Sequence, residues 1–246
     1  MGRPTGTYIL AAIALTGMIC ACGPARSADR LDLPRIMLWA WERPENLSFL
    51  DSQKSGVAFL AGTAVIGADG STRFRLRTQP LVLPAGAAVL PVVRIESPLS
   101  HAAIEVAPLV LGLRQIAEVP GVRGIQIDFD ARRSEQPSYR ALLASMSKYT
   151  SKPVGITALA SWCEGDRWLN GEPVAEAVPM FFRMGLNESR NMQMSSPACR
   201  SSIGLSTDEP WPAQRAATIQ RIYLFSPRAW TREEYDRTLR RVESWK

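Results

Sequence analysis

Eight short runs rich in aliphatic and β-branched residues recur along the chain, at 36–41, 57–61, 89–95, 124–129, 154–160, 178–183, 202–206 and 221–225. Their starts lie between 19 and 35 residues apart, enough for a helix or loop to intervene after most of them, with less room near the C-terminus. Strands spaced in this way predict a parallel sheet, because a parallel partner is reached only by a crossover over the face of the sheet. Eight such units predict an α/β fold, a (β/α)8 TIM-type barrel with some helices shortened or replaced by loops. No repeat, low-complexity run or linker divides the sequence, so residues 30–246 are expected to form a single barrel domain.

Three connecting segments carry helical signals. Ser100 is placed to cap a helix through Ala107, and Pro108 to open a second turn reaching Glu118. Beyond the fourth run, Tyr139, Leu142, Leu143 and Met146 form one stripe of a helix that would cover the sheet. Near the end, Thr231 and Glu234 stand in capping-box spacing, with Tyr235, Leu239 and Val242 on one face behind them. Residues 62–88 hold no clear helix and contain Gly67, Gly70, Pro80, Pro84 and Gly86, and 184–201 is polar with at most a short helix at 188–194.

Residues 1–28 read as an export leader: Arg3 precedes an apolar run over 8–19 that has the length of a signal-peptide core and is short for a membrane span. Within it, residues 19–22 (ICAC) resemble a lipoprotein cleavage pattern, with Cys22 the better candidate for lipidation and Cys20 the weaker, since Cys20 occupies an internal position of the pattern; ordinary cleavage near Ala28 is the alternative. Either way the expected location is the periplasm, with the membrane touched only through a lipid anchor. Export leaves Cys163 and Cys199 as a possible disulfide, against the alternative of two buried thiols. Those cysteines and the single histidine, His101, do not make a metal-ligand set, and no Gly-rich phosphate loop or nucleophile elbow is present, so neither metal nor cofactor is expected. The net charge of +6 comes from scattered arginines rather than a basic run; a nucleic-acid partner would rest on that charge alone and is not expected.

Barrel enzymes place their chemistry at the C-terminal ends of the strands, and polar residues collect late in these runs. The first ends in Trp39, Trp41 and Glu42, the third in Arg94 and Glu96, the fourth in Asp128 and Asp130. The fifth ends in Trp162, the sixth in Arg183, and Asp208 follows the seventh. In the fourth, GIQIDFDA, alternation puts Gln126, Asp128 and Asp130 on one face and Ile125, Ile127 and Phe129 on the other. A carboxylate facing a barrel interior is costly unless it is paired or used. Alternate residues of a strand lie roughly 6–7 Å apart, a separation that suits two carboxylates flanking one reacting group. Arg94 would keep one carboxylate ionised while crowding raises the pKa of another, dividing the set into stabiliser and proton donor. Asp130, Asp128 and Glu96 are thus candidate catalytic residues. Trp39, Trp41, Glu42, Arg94, Gln126, Trp162, Arg183 and Asp208 are candidate substrate contacts, the indoles suiting the CH faces of sugars. A binding mouth without chemistry and a structural ion-pair plug are the competing readings.

The segments LWAWERP (38–44), GIQIDFD (124–130), ITALASWC (156–163) and VPMFFRMG (178–185) resemble a bacterial family known as domain of unknown function 3142, over nearly all of the mature chain. The resemblance brings no activity with it. More distantly, residues 123–130 resemble the fourth-strand signature of family 18 glycoside hydrolases, Asp-Gly-x-Asp-x-Asp-x-Glu. That likeness implies a glycan-facing barrel with Asp130 in the position of the proton donor and Asp128 in that of its partner. Arg123 and Gln126 depart from the signature, Asp130 replaces the donor Glu, and Phe182 and Arg183 stand where the sixth strand would carry Tyr and Asp. The expected function is an exported, glycoside-hydrolase-like barrel acting on a polysaccharide or glycan by carboxylate general acid catalysis. The alternative is a non-catalytic carbohydrate-binding or envelope scaffold protein.

Overall fold

The computed structural model describes residues 30–98, 104–183 and 194–246. In chain order the strands are β1 (Ile36–Ala40), β2 (Glu45–Asn46), β3 (Ser55–Ile66), β4 (Thr72–Leu76), β5 (Leu81–Val82), β6 (Val89–Glu96), β7 (Ile125–Asp128), β8 (Val154–Leu159), β9 (Glu176–Met180), β10 (Ser202–Ser206) and β11 (Arg221–Phe225). β1, β3 and β6–β11 are the eight expected runs, and each pairs in parallel with its neighbours. β1 bonds both β11 and β3, which closes the ring into an eight-stranded parallel barrel.

Four α-helices are found among the described residues, α1 (Val106–Ala117), α2 (Gln136–Tyr149), α3 (Ala160–Glu164) and α4 (Arg232–Ser244). The first three follow β6, β7 and β8, and α4 follows β11. α2 buries Tyr139, Leu142, Leu143 and Met146, the expected stripe. α4 is capped by Thr231, whose side chain accepts the Glu234 N–H; the Glu234 carboxylate instead accepts from Thr207 and Ser226. The expectation around Pro108 needs correcting: one helix begins at Val106 and carries Pro108 in its first turn, where a missing N–H costs nothing. Ser100, His101, residues 188–193 of the expected 188–194 helix and Cys22 lie outside the described residues.

The 62–88 region departs most from expectation, because β3 does not stop near residue 61. A register shift between Leu60 and Gly62 lets it run on to Ile66, leaving β1 and taking β4 as an antiparallel partner. A Cβ on Gly62 would meet the Arg75 carbonyl at 2.9 Å, so glycine permits this close pairing. The outer face of the hairpin is sealed by Phe74 lying on Gly112 of α1, where any side chain would collide with the ring.

Apolar residues divide into three groups. One packs β3, β6, β7 and β8 against α1 and α2, and a second packs β1, β10 and β11 against α4 and the loops. The third, including Met37, Trp39, Leu90, Val92, Val178, Tyr223 and Phe225, fills the barrel interior. Below it, at the N-terminal end of the strands, the Glu176 carboxylate accepts hydrogen bonds from Arg221 and Ser202, each at 2.5 Å, and from the Tyr223 hydroxyl. Arg221 also donates to the Leu31 carbonyl at 2.8 Å, tying the chain entry to this floor. A Cys163–Cys199 disulfide, S–S 2.10 Å, joins α3 to the segment preceding β10.

Candidate functional site

At the opposite end, Asp128 is the last residue of β7 and stands in register with Arg94 of β6. Thr157 of β8 donates to its Oδ1 at 2.7 Å. Only 8% of Asp128 is exposed. Burial pushes its carboxyl up to about 6; the Thr157 hydrogen bond opposes this, the Asp130 charge reinforces it, and the Arg94 charge opposes it. Asp130, two residues on, is exposed at the rim, and its carboxyl is also raised by partial desolvation against the pull of Arg94. The two carboxylates therefore share a site in unequal environments, the inner one dry and the outer one wet.

They border two cavities, which also share Arg94. The larger, about 360 Å³, is faced by Trp39, Trp41, Phe182 and Phe225 and by Arg183. Its aromatic wall is a continuous pack, with ring centroids 4.5 Å apart for Trp39–Phe225, 4.6 Å for Phe182–Phe225 and 5.4 Å for Trp39–Trp41. The smaller, about 280 Å³, includes Glu96, Ser97 and Arg132. Glu96 pairs with Arg94 at 3.6 Å, both half exposed, which is a weak pair in water. Arg183 takes a left-handed backbone (φ 55°) directly after β9, and its N–H is held by the Glu209 carboxylate at 3.0 and 3.2 Å.

Four expected contacts lie elsewhere. β8 ends at Leu159 and α3 begins; Trp162, an odd step from the inward-facing Thr157, lies on the outer side with Ile156 and Ala158, buried edge-to-face on Trp168. Ser161 occupies the mouth in its place. Gln126 faces inward but one step below Asp128, fully buried and sealed from both cavities. Glu42 is half-buried in the β1–β2 loop and acts on Arg77, and Asp208 accepts from Ser206; neither lines either cavity. Trp39, Trp41, Arg94, Glu96, Asp128, Asp130 and Arg183 do come together.

Thr157, Phe225 and Arg132 were not anticipated at the site, and Phe182 only as the residue standing where family 18 carries Tyr. A lone threonine inside the apolar run VGITAL was the available signal for the first. Two further arginines shape the rim from outside it. Arg77 donates to the Trp41 and Arg43 carbonyls, each at 2.6 Å, and to Gln79 O at 2.9 Å. Arg43 bonds Glu45 at 2.7 Å, Pro227 O at 3.0 Å, Ser226 O at 3.1 Å and the Arg228 carbonyl. Replacing Arg77 by methionine is expected to destabilise the fold by about 2–3 kcal/mol, since it removes charged donors to part-buried carbonyls. Urea denaturation of Arg77→Met beside the wild type checks this, and a loss below about 0.5 kcal/mol would show the bracing to be dispensable.

Among the described residues no group of three or more His, Cys, Asp or Glu side chains is arranged to hold a metal ion, and no helix is long and apolar enough to cross a membrane. No family model, curated protein or solved structure matches the chain.

Proposed function

We propose that this chain is an exported, glycoside-hydrolase-like barrel that acts on a polysaccharide or glycan by carboxylate general acid catalysis. The observation that carries the reading is the pair Asp128 and Asp130, set at a strand end opposite the half-buried rings of Trp41 and Phe182, which are backed by the buried Trp39 and Phe225. Aromatic faces receive the CH surfaces of a sugar, and paired carboxylates of unequal burial supply a retained proton and a charge. In this reading Asp130, exposed to the cavity, donates the proton to the leaving oxygen. Asp128 below it, raised first by burial and then by the Asp130 charge, disfavours ionisation of both carboxylates at once, so the pair retains a proton, while Arg94 and Glu96 set the local charge. The resemblance of residues 123–130 to the family 18 glycoside hydrolase signature points the same way, and the leader supports a periplasmic location with Cys22 as the lipid-bearing residue.

A second reading, carbohydrate binding without turnover, is favoured by Phe182 and Arg183. They occupy the mouth where family 18 enzymes would carry groups that hold the reacting acetamido group.

The test is a hydrolysis and binding screen of the wild type, Asp130→Asn and Trp41→Ala against a polysaccharide panel that includes chitin and peptidoglycan fragments. Turnover is expected in the wild type and should fall about 10²–10⁴-fold in Asp130→Asn. Trp41→Ala should weaken binding about tenfold, the loss of one stacking face. Binding without turnover in all three proteins would establish the second reading, and no binding at all would sink both.

A further inference from the structure

Scattered in sequence, the arginines of β4 are ordered by the fold. Thr63 stands in register with Arg75 on one side and Arg94 on the other, and Arg94 with Asp128, so one row crosses four strands: Arg75, Thr63, Arg94, Asp128. The next row is Arg73, Val65, Glu96. Residues in register share a face of the sheet. The opposite face holds Ala64, Ile66, Phe74 and Ile95, packed in the outer core around α1. Arg73 and Arg75 must therefore lie on the face that continues the barrel interior. Arg77, next in the alternation, confirms the direction by reaching the carbonyl of Trp41 in the cavity wall.

Arg73 and Arg75 are exposed, and their side chains form no hydrogen bond or ion pair among the described residues. The nearby acids are Asp69 in the hairpin turn, which already serves Ser71, and Glu96 in the second row, which is paired with Arg94. Two guanidinium groups without a bonded partner, Arg73 feeling only the charge of Asp69 at a distance, thus stand on a surface running from the carboxylates outward. With strands about 4.8 Å apart, the row from Asp128 to Arg75 spans about 14 Å, longer than a single sugar ring.

We propose that the inner face of the β3–β4 hairpin is a binding wall for an acidic glycan, with Arg73 and Arg75 receiving carboxylate groups of sugars beyond the one at Asp130. The planar guanidinium fork matches a carboxylate with two parallel hydrogen bonds, and its weak hydration lets it release water on contact. A neutral glycan would gain nothing from this wall. The proposal rests on the glycan reading of the mouth and adds the charge class of the ligand.

The experiment measures binding to the full chain by titration calorimetry at several salt concentrations. The probes are a galacturonic acid hexamer, the same hexamer with methyl-esterified carboxyls, and a single-stranded DNA dodecamer. Proteins are the wild type, Arg75→Gln and Arg73→Gln/Arg75→Gln, with thermal melting to confirm that these exposed replacements leave the fold intact. The double variant should bind the acid hexamer about tenfold more weakly, as expected from losing two partly exposed charge-assisted contacts, and with a flatter salt dependence. Arg75→Gln should lose about threefold, and the esterified hexamer should bind all three proteins alike. Unchanged affinity of the double variant for the acid hexamer would overturn the wall while leaving the glycan-binding mouth standing. A loss confined to the DNA probe would overturn it in favour of a nucleic-acid surface. Failure of the acid hexamer to bind the wild type would overturn the wall, while the glycan reading beneath it stands or falls separately on the polysaccharide panel.

Discussion

Glutamine in place of Glu176 is expected to remove about 3–5 kcal/mol of folding stability, the cost of breaking a buried ion pair and leaving its partner uncompensated. Glu176 is 2% exposed and Arg221 7%. The carboxylate is the common acceptor for Arg221, Ser202 and Tyr223, so one neutralised oxygen pair weakens three donors at once. The penalty is large because Arg221 cannot swing out to water; its guanidinium is also held by the Leu31, Leu33 and Pro34 carbonyls. For a chain of this size the melting temperature should fall by roughly 6–20 °C. Urea and thermal denaturation of Glu176→Gln check both figures, and a loss below about 1 kcal/mol would mean that water reaches the floor. Replacing the pair together, Glu176→Leu with Arg221→Met, should recover part of the loss because no charge is then stranded.

Asp128→Asn is expected to act in opposite directions on activity and on stability. Turnover should fall about 10²–10⁴-fold if the carboxylate pair performs acid catalysis. Stability should rise above neutral pH. The folded-state carboxyl titrates at about 6 against an ordinary value of 3.8, so the folded protein holds this proton more tightly than the unfolded chain does. Between those values the folded state carries the extra proton, and stability therefore falls as pH rises from about 4 to about 6. Above 6 the full penalty of an ionised, buried carboxylate is present, on the order of 3 kcal/mol. Asparagine keeps an acceptor for Thr157 and cannot ionise, so the variant should match the wild type near pH 4 and exceed it near pH 8. Denaturation midpoints at those two pH values decide the matter. A variant less stable than the wild type at pH 8 would show that Asp128 is held as a structural anion by Arg94, the ion-pair plug weighed among the sequence readings.

The eight barrel strands were legible because their residues are β-branched or aliphatic in short bounded runs, and the interior they fill demands that composition. Asp128 and Asp130 were legible for the complementary reason, since a charge inside such a run breaks the pattern. Trp162 was misplaced because it stands an odd number of residues after the inward-facing Thr157: alternation alone sends it outward with Ile156 and Ala158, and the start of α3 leaves it there. The β3–β4 hairpin was hidden twice. Glycine at 62 reads as a stop although here it permits close pairing, and β4, with the sequence TRFRL, offers arginine on the face that would be apolar in a buried strand. Gln126 shares the Asp128 face, as alternation requires, but depth along the barrel axis is set by strand stagger, which no local pattern encodes. The bracing by Arg43 and Arg77 depends on contacts up to 185 residues apart and leaves no local signal.

Those two arginines also bear on how a mouth of this kind can change over evolutionary time. Beyond Glu45, what they grip is main chain: the oxygens of residues 41, 43, 79, 226, 227 and 228, with Leu60 at the limit of reach. Every amino acid supplies a carbonyl, so the anchors place almost no demand on which side chains the rim presents. A substitution at Trp41 can alter what the opening recognises while the loop hangs from the same hooks. Shape and specificity are thereby inherited separately, one from two guanidinium groups behind the rim and the other from whatever residues the rim displays.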